Sequence, residues 1–355
     1  MNKQNILALA LKPAMRVTES VGIGIVLMLT GALVAIITPS AASAPPPCGG
    51  PTATALATGL AAGAKGSTIG PDGALYVTEG AAGRISRVDP LTGEKTTFAS
   101  GLPKAILSIG GSSIGGAIDV AFIDNIAYVL VTLVSDPLFP SSDVDGIYRV
   151  DGPGSFTVVA DIGQFNLDNP PTIPFQVDVK TGLQFALQTY RGGFLVTDGH
   201  LNRVLRVTLD GEISVFIAFG DIVPTGLAVK GNTVYMAEAG PVPHLPQDGK
   251  VVSFGSKSPT ATVVASGAPL LVDVKFGGGD SLYALSNGIF PVGSPPATPA
   301  LPNTGSLVKV NADGTFTVIT DGLDRPTSLE FIGNTAYVVT LTGEIWKIDG
   351  VSCPH

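Results

Sequence analysis

The sequence predicts an all-β protein: a six-bladed β-propeller of four-stranded antiparallel blades, closed by an N-terminal strand that completes the last blade. Three observations predict it. A pair of strand motifs recurs six times, tight Gly/Asp/Asn turns separate the strands, and the segment after the leader supplies the strand that the sixth copy lacks.

The second strand of each copy is the clearest. It reads Leu75-Tyr76-Val77, Ala127-Tyr128-Val129, Phe194-Leu195-Val196, Val234-Tyr235-Met236, Leu282-Tyr283-Ala284 and Ala336-Tyr337-Val338. The third strand follows, as Ile85-Ser86-Arg87-Val88-Asp89 in the first copy, Ile147-Tyr148-Arg149-Val150-Asp151 in the second and Ile345-Trp346-Lys347-Ile348-Asp349 in the last. A Thr/Val-rich fourth strand, such as Phe156-Thr157-Val158-Val159, is present in every copy except the sixth, which runs out at Asp349. Ala53-Thr54-Ala55-Leu56-Ala57-Thr58-Gly59-Leu60 superimposes on the segment from Thr96 to Leu102, so this N-terminal strand is expected to be the missing one and to remove two open sheet edges.

The chain is divided as follows: 1–42 signal peptide, 43–52 Pro-rich mature N-terminus, 53–350 propeller, 351–355 tail with Cys353. The leader has basic Lys3, Lys12 and Arg16, an apolar run over 21–38 and the small residues of Ser40-Ala41-Ala42, which fits export with cleavage after Ala42. Retention of the run as an anchor is the alternative, since about 18 apolar residues just span a bilayer. The mature protein is expected outside the cell or in the periplasm, with no membrane contact once the leader is cleaved, and as a monomer. In that oxidising setting Cys48 and Cys353, at the two ends of the propeller, are expected to form a disulfide latch. A bond closing so long a loop contributes roughly 3 to 5 kcal/mol in the chain-entropy model.

Of the 355 residues 45% are hydrophobic and 14% charged, which excludes a disordered chain, and the net charge of −8 excludes a basic nucleic-acid surface. Antiparallel pairing puts the long segments 103–116, 133–146, 161–180, 239–249 and 287–305 on one face, leaving tight turns such as Gly70-Pro71-Asp72-Gly73 on the other. Long loops gathered on one face mark the expected binding surface for a small molecule or protein, with Phe139, Phe165, Phe175, His244 and Phe290 as its candidate contacts. The competing reading is that these loops only pack on one another and plug the channel.

Aligning the innermost strands places Gly66, Asp119, Gly182, Gly226, Asp273 and Ser328 at one level of the channel. Asp119 and Asp273 belong to opposite blades, where two carboxylates are candidate ligands of a hard cation such as Ca²⁺; a structural role, bonded to amides of their own blades, is the alternative. Glu79, Asp198 and Glu238 end second strands, where an acidic side chain satisfies turn amides. No phosphate loop, zinc spacing, dinucleotide fingerprint or nucleophile beside a histidine is present in the sequence, so no catalytic residue is assigned.

Gly70-Pro71-Asp72-Gly73-Ala74-Leu75-Tyr76-Val77-Thr78-Glu79, Val223-Pro224-Thr225-Gly226-Leu227-Ala228-Val229 and Val234-Tyr235-Met236-Ala237-Glu238-Ala239-Gly240 resemble the ScyD/ScyE family of secreted bacterial propellers, within the wider NHL-like six-bladed group. The resemblance spans about residues 53–349 and implies export and the propeller fold, but no catalytic residue. Two functions are expected from it and the residues together: a scaffold that binds through its long-loop face, or a Ca²⁺-dependent lactonase or esterase resembling the senescence-marker and gluconolactonase propellers. The Glu, Asn and Asp cluster of those enzymes has no matching set here.

Overall fold

The computed structural model describes residues 49–351, apart from 110–111, 173–178 and 256–257, and leaves the side chains of 64, 258 and 259 undescribed. Six four-stranded antiparallel sheets form the blades. Their innermost strands are Ala64–Ile69, Gly116–Ile123, Gln184–Tyr190, Pro224–Lys230, Leu271–Phe276 and Pro326–Ile332, in blades one to six. In blade six the order runs from outside inward as Thr52–Ala57, Ile345–Asp349, Thr335–Thr340 and Pro326–Ile332. The N-terminal strand therefore closes the ring, paired from Thr52 opposite Asp349 to Ala57 opposite Ile345.

The apolar core is an annulus rather than a centre. Six buried clusters lie one at each boundary between neighbouring blades, including that between the last and the first, where Leu75, Val77 and Val88 meet Tyr337, Val339 and Ile345. Alternation explains this: on a second strand such as Leu75–Glu79 every side chain is buried, because the two faces of the sheet pack against different neighbours. The recurrent tyrosine serves this contact. Tyr76, Tyr128 and Tyr235 meet Phe122, Phe194 and Phe276 of the following blade with ring centroids 4.8, 5.0 and 5.2 Å apart. Gly70 is needed beneath one such ring, since a Cβ there would lie 2.1 Å from Tyr76 Cε2.

Two of the long segments contain structure that their sequence did not announce. Residues 103–116 include a small hairpin, Leu107–Ile109 with Ser112–Ile114. Residues 161–180 begin with the helix Ile162–Asp168, capped by Asp161, whose carboxylate accepts the Gln164 N–H at 2.8 Å. Elements this short carry too few residues for a periodic signal. The leader, Phe175, Cys48 and Cys353 lie outside the described residues, and so does the expected disulfide. Among the described residues no helix is long and apolar enough to cross a membrane.

Candidate functional site

Every innermost strand shifts register at the same level, between Ala64 and Ser67 in blade one, Ala117 and Asp119 in blade two, and correspondingly in the other four. The extra residue turns two consecutive side chains toward the axis. Around the upper ring, nearer the long-loop face, stand Lys65, Ile118, Phe185, Val272 and Thr327; around the lower ring stand Gly66, Asp119, Ala186, Gly226, Asp273 and Ser328. The blade-three member is thus Ala186 and not Gly182. Gly182 lies before the strand at φ +80°, where a Cβ would meet the Asp198 carboxylate at 2.1 Å. The sequence alignment failed there because blade three has neither Gly nor Asp at this level to anchor it.

Asp119 and Asp273 are used alike. Asp119 accepts the Val120 N–H at 2.9 Å and, across the blade boundary, the Leu187 N–H at 2.7 Å. Asp273 accepts the Val274 N–H at 2.8 Å and the Leu329 N–H of blade six at 2.8 Å. Ser328 repeats the device with a hydroxyl that accepts the Ser67 N–H at 3.0 Å. The glycine preceding each aspartate around the ring is sterically required: a Cβ on Gly66 would sit 2.2 Å from Asp119 Oδ1, and one on Gly226 2.4 Å from Asp273 Cα.

Below this ring the channel carries a cation of its own. Lys275 Nζ pairs with Glu330 at 3.0 Å, and its charge also favours ionisation of Asp273 and Asp119. The three acidic neighbours outweigh burial and hold the Lys275 ammonium well above the usual lysine range. Burial nevertheless pushes the Asp119 carboxyl up to about 7 and raises Asp273 and Glu330 in the same direction. A Ca²⁺ ion takes six to eight oxygens, by general preference. Here each aspartate oxygen already accepts an N–H, Lys275 supplies the positive charge, and no group of three or more His, Cys, Asp or Glu among the described residues is placed to hold a metal. The donor set does not fit a resident Ca²⁺.

Lys65 was not singled out by the sequence, nor were Phe185, Lys275 and Glu330. Phe185 leaves blade three and packs against the cluster shared by blades five and six, so its ring crosses the axis. The channel there has a volume of about 20 Å³, room for one water; toward the tight-turn side it widens to about 240 Å³, lined by Thr68, Gln188, Thr189 and Lys275. The visible signal was a charged residue on an inner strand otherwise built of apolar and small residues.

On the long-loop face, two predicted contacts are buried. His244 and Phe290 are 8% and 3% exposed and meet edge to face at 5.2 Å, tying the loop of blade four to that of blade five. His244 Nδ1 lies 2.7 Å from the Gly240 carbonyl oxygen, and burial lowers its pKa, so the ring is neutral at pH 7. Phe165 is partly buried under Arg203, whose guanidinium lies 5.6 Å from the ring, and Phe139 is partly buried beside Asp136. The exposed large apolar groups of this face are others: Ile106, Leu138, Leu167, Val242, Leu245, Ile289, Val292 and Leu301. Of the three acidic strand ends, Glu79 takes Arg84 and Ser86 as well as the Ala61 amide, and Asp198 takes Asn166, Gln184 and two amides. Glu238 differs. It faces Pro224, which has no N–H to give, it accepts no hydrogen bond among the described residues, and burial raises it to about 7 against the pull of Lys250.

These features define a six-bladed β-propeller whose channel carries a buried ion pair, and comparison with solved structures places it in the same fold. A gluconolactonase from Xanthomonas campestris is 12% identical, with 84% of this chain and 89% of that one covered at a TM-score of 0.56. A putative glucose dehydrogenase from Thermus thermophilus is 17% identical over 84% of this chain and 100% of that one, with a TM-score of 0.56. The PQQ-bound aldose sugar dehydrogenase of Streptomyces coelicolor is 16% identical over 86% and 99%, at 0.53. At such identities the likeness is one of fold. No family model matches the chain, and no curated protein matches it in sequence.

Proposed function

We propose that this chain is an exported, monomeric binding scaffold of the ScyD/ScyE type, whose long-loop face engages an apolar surface of a protein partner. The observation that carries this reading is the distribution of exposed large apolar side chains. Ile106, Leu138, Val242, Leu245, Ile289 and Val292 come from four different connections of one face, and Leu138 and Val292 are 65% and 82% exposed. A spread of this kind suits the broad contact of a protein interface, roughly 800 Å² per partner. The buried His244–Phe290 contact fits the same reading, since it stiffens the loops that present the patch. The lactonase alternative draws on Asp119 and Asp273, whose oxygens are engaged by backbone N–H groups and faced by Lys275.

The test compares two triple variants as bait for exported proteins of the host: Leu138→Ser/Ile289→Ser/Val292→Ser on the long-loop face and Leu91→Ser/Ile126→Ser/Leu209→Ser on the opposite one. Each captured protein is purified and its affinity remeasured. A partner that loses at least tenfold in affinity with the first variant and keeps it with the second supports the reading. Equal effects of the two variants contradict it, and a captured small molecule in place of a protein replaces it.

A further inference from the structure

The upper ring of the channel holds a cation that the ion pairs below do not use. Lys65 stands at the second position of the first inner strand, at the end of the channel nearer the long-loop face, with Ile118, Phe185 and Val272 as its apolar company. It is partly buried rather than sealed. Among the described residues its Nζ makes no ion pair or hydrogen bond. The charged groups of the channel are Asp119, Asp273, Lys275 and Glu330, and none of them neutralises it; burial alone acts on Lys65 and lowers its pKa to about 8. Contrast Lys275, drawn up by three carboxylates in the same channel. Two lysines on one axis are thus tuned in opposite directions, one held as ammonium and one that gives up its proton near pH 8.

We propose that Lys65 is a covalent binding site for small apolar aldehydes, which it takes as an imine. The neutral amine attacks the carbonyl carbon and forms the C–N bond. The resulting carbinolamine loses its oxygen as water, which carries away both amine protons, and leaves C=N between Nζ and the ligand. No oxidant or reductant is consumed. Desolvation of a lysine in an apolar setting is a recognised way to make such a nucleophile. The Phe185 ring offers a flat apolar wall beside the amine, and the space of about 20 Å³ next to it is on the scale of a formyl group. This site stands independently of the protein-binding face and is tested separately.

The experiment uses the mature full chain and benzaldehyde with cyanoborohydride, which reduces the imine to a stable amine, followed by peptide mapping at several pH values. At pH 7.5 Lys65 is expected to be labelled at least tenfold faster than the exposed Lys104 and Lys180, with a rate that reaches half its plateau near pH 8. The Lys65→Met variant is expected to lose the fast phase and keep the slow one. Labelling of Lys65 no faster than that of Lys104 and Lys180, or a fast phase that survives Lys65→Met, overturns the proposal. The within-molecule comparison needs no variant, so a misfolded Lys65→Met leaves the test intact. Fast labelling that persists in the Leu138→Ser/Ile289→Ser/Val292→Ser variant separates this site from the partner-binding surface.

Discussion

Blades one and two meet at Gly66 and Asp119, and across the ring blades four and five meet at Gly226 and Asp273. The glycine-aspartate unit is the same on both sides: the glycine leaves room for a carboxylate that reaches past its own strand to an amide of the next blade, Leu187 or Leu329. What flanks it differs. In the first half the glycine follows Lys65 and the second residue after the aspartate is Ala121; in the other half these places are Thr225 and Lys275, with Glu330 facing the lysine. Thr225 closes on the Ala237 and Leu271 carbonyls, whereas Lys65 has no such partner among the described residues. The shared part is therefore architecture and the unshared part is where the channel has chemistry to offer.

The largest way to break this comparison is at the glycines. Gly66→Ala and Gly226→Ala each force a Cβ into backbone as well as carboxylate, and each is expected to cost about 4 kcal/mol or more, read by urea unfolding. An equal loss from both would show the two locks to be equivalent. Next comes Lys275→Met, which leaves Glu330 and the two aspartates without their cation. A loss of about 3 kcal/mol is expected at pH 8 and a smaller one at pH 5, where the raised carboxyls take up protons. Restoring stability with Lys275→Met/Glu330→Leu would identify the pair as the source.

The acidic strand ends sharpen the same point on a smaller scale. Glu238 has its folded pKa raised to about 7 from an ordinary value near 4.5, so its native state is most favoured below about 4.5 and loses that advantage as the pH climbs through 7. Glu238→Gln is expected to match the wild type at pH 4 and to exceed it by about 1 to 2 kcal/mol at pH 8, measured by melting across pH. Glu79, held below its usual range by Arg84, Ala61 and Ser86 despite burial, has the opposite sign: its contribution is present above an ordinary carboxylate pKa and is lost in more acid solution. Glu79→Gln therefore loses stability at pH 7 where Glu238→Gln gains it. Smallest of all is Val292→Ser on the long-loop face, expected within about 0.5 kcal/mol of the wild type, because the side chain is 82% exposed.

Repetition made the ring legible. Six strands of one apolar pattern, five of them centred on a tyrosine, and a displaced fourth strand set the blade count and the closure at Thr52–Ala57, and both rest on local patterns that each copy restates. The channel was legible only where a residue stood out against that pattern. Asp119 and Asp273 did so and were placed at the right level, but their amide partners lie 68 and 56 residues away, and no local signal reports them. Lys65 and Phe185 were missed because the bulge breaks the two-residue alternation and turns both members of a pair inward. His244 and Phe290 looked like open loop residues; their burial comes from two loops folding onto each other, which neither sequence declares.

Asp119 and Asp273 thus join blades, every carboxylate oxygen accepting a backbone N–H. Melting of the wild type, Asp119→Asn and Asp273→Asn with millimolar Ca²⁺ and with EDTA distinguishes this role from ion binding. The wild-type midpoint is expected to ignore both additions, and the variants to melt several degrees lower whatever is added, each having lost an acceptor for an amide of the next blade. A midpoint that rises with Ca²⁺, falls with EDTA and loses this response in either variant would show instead that the carboxylates hold a cation.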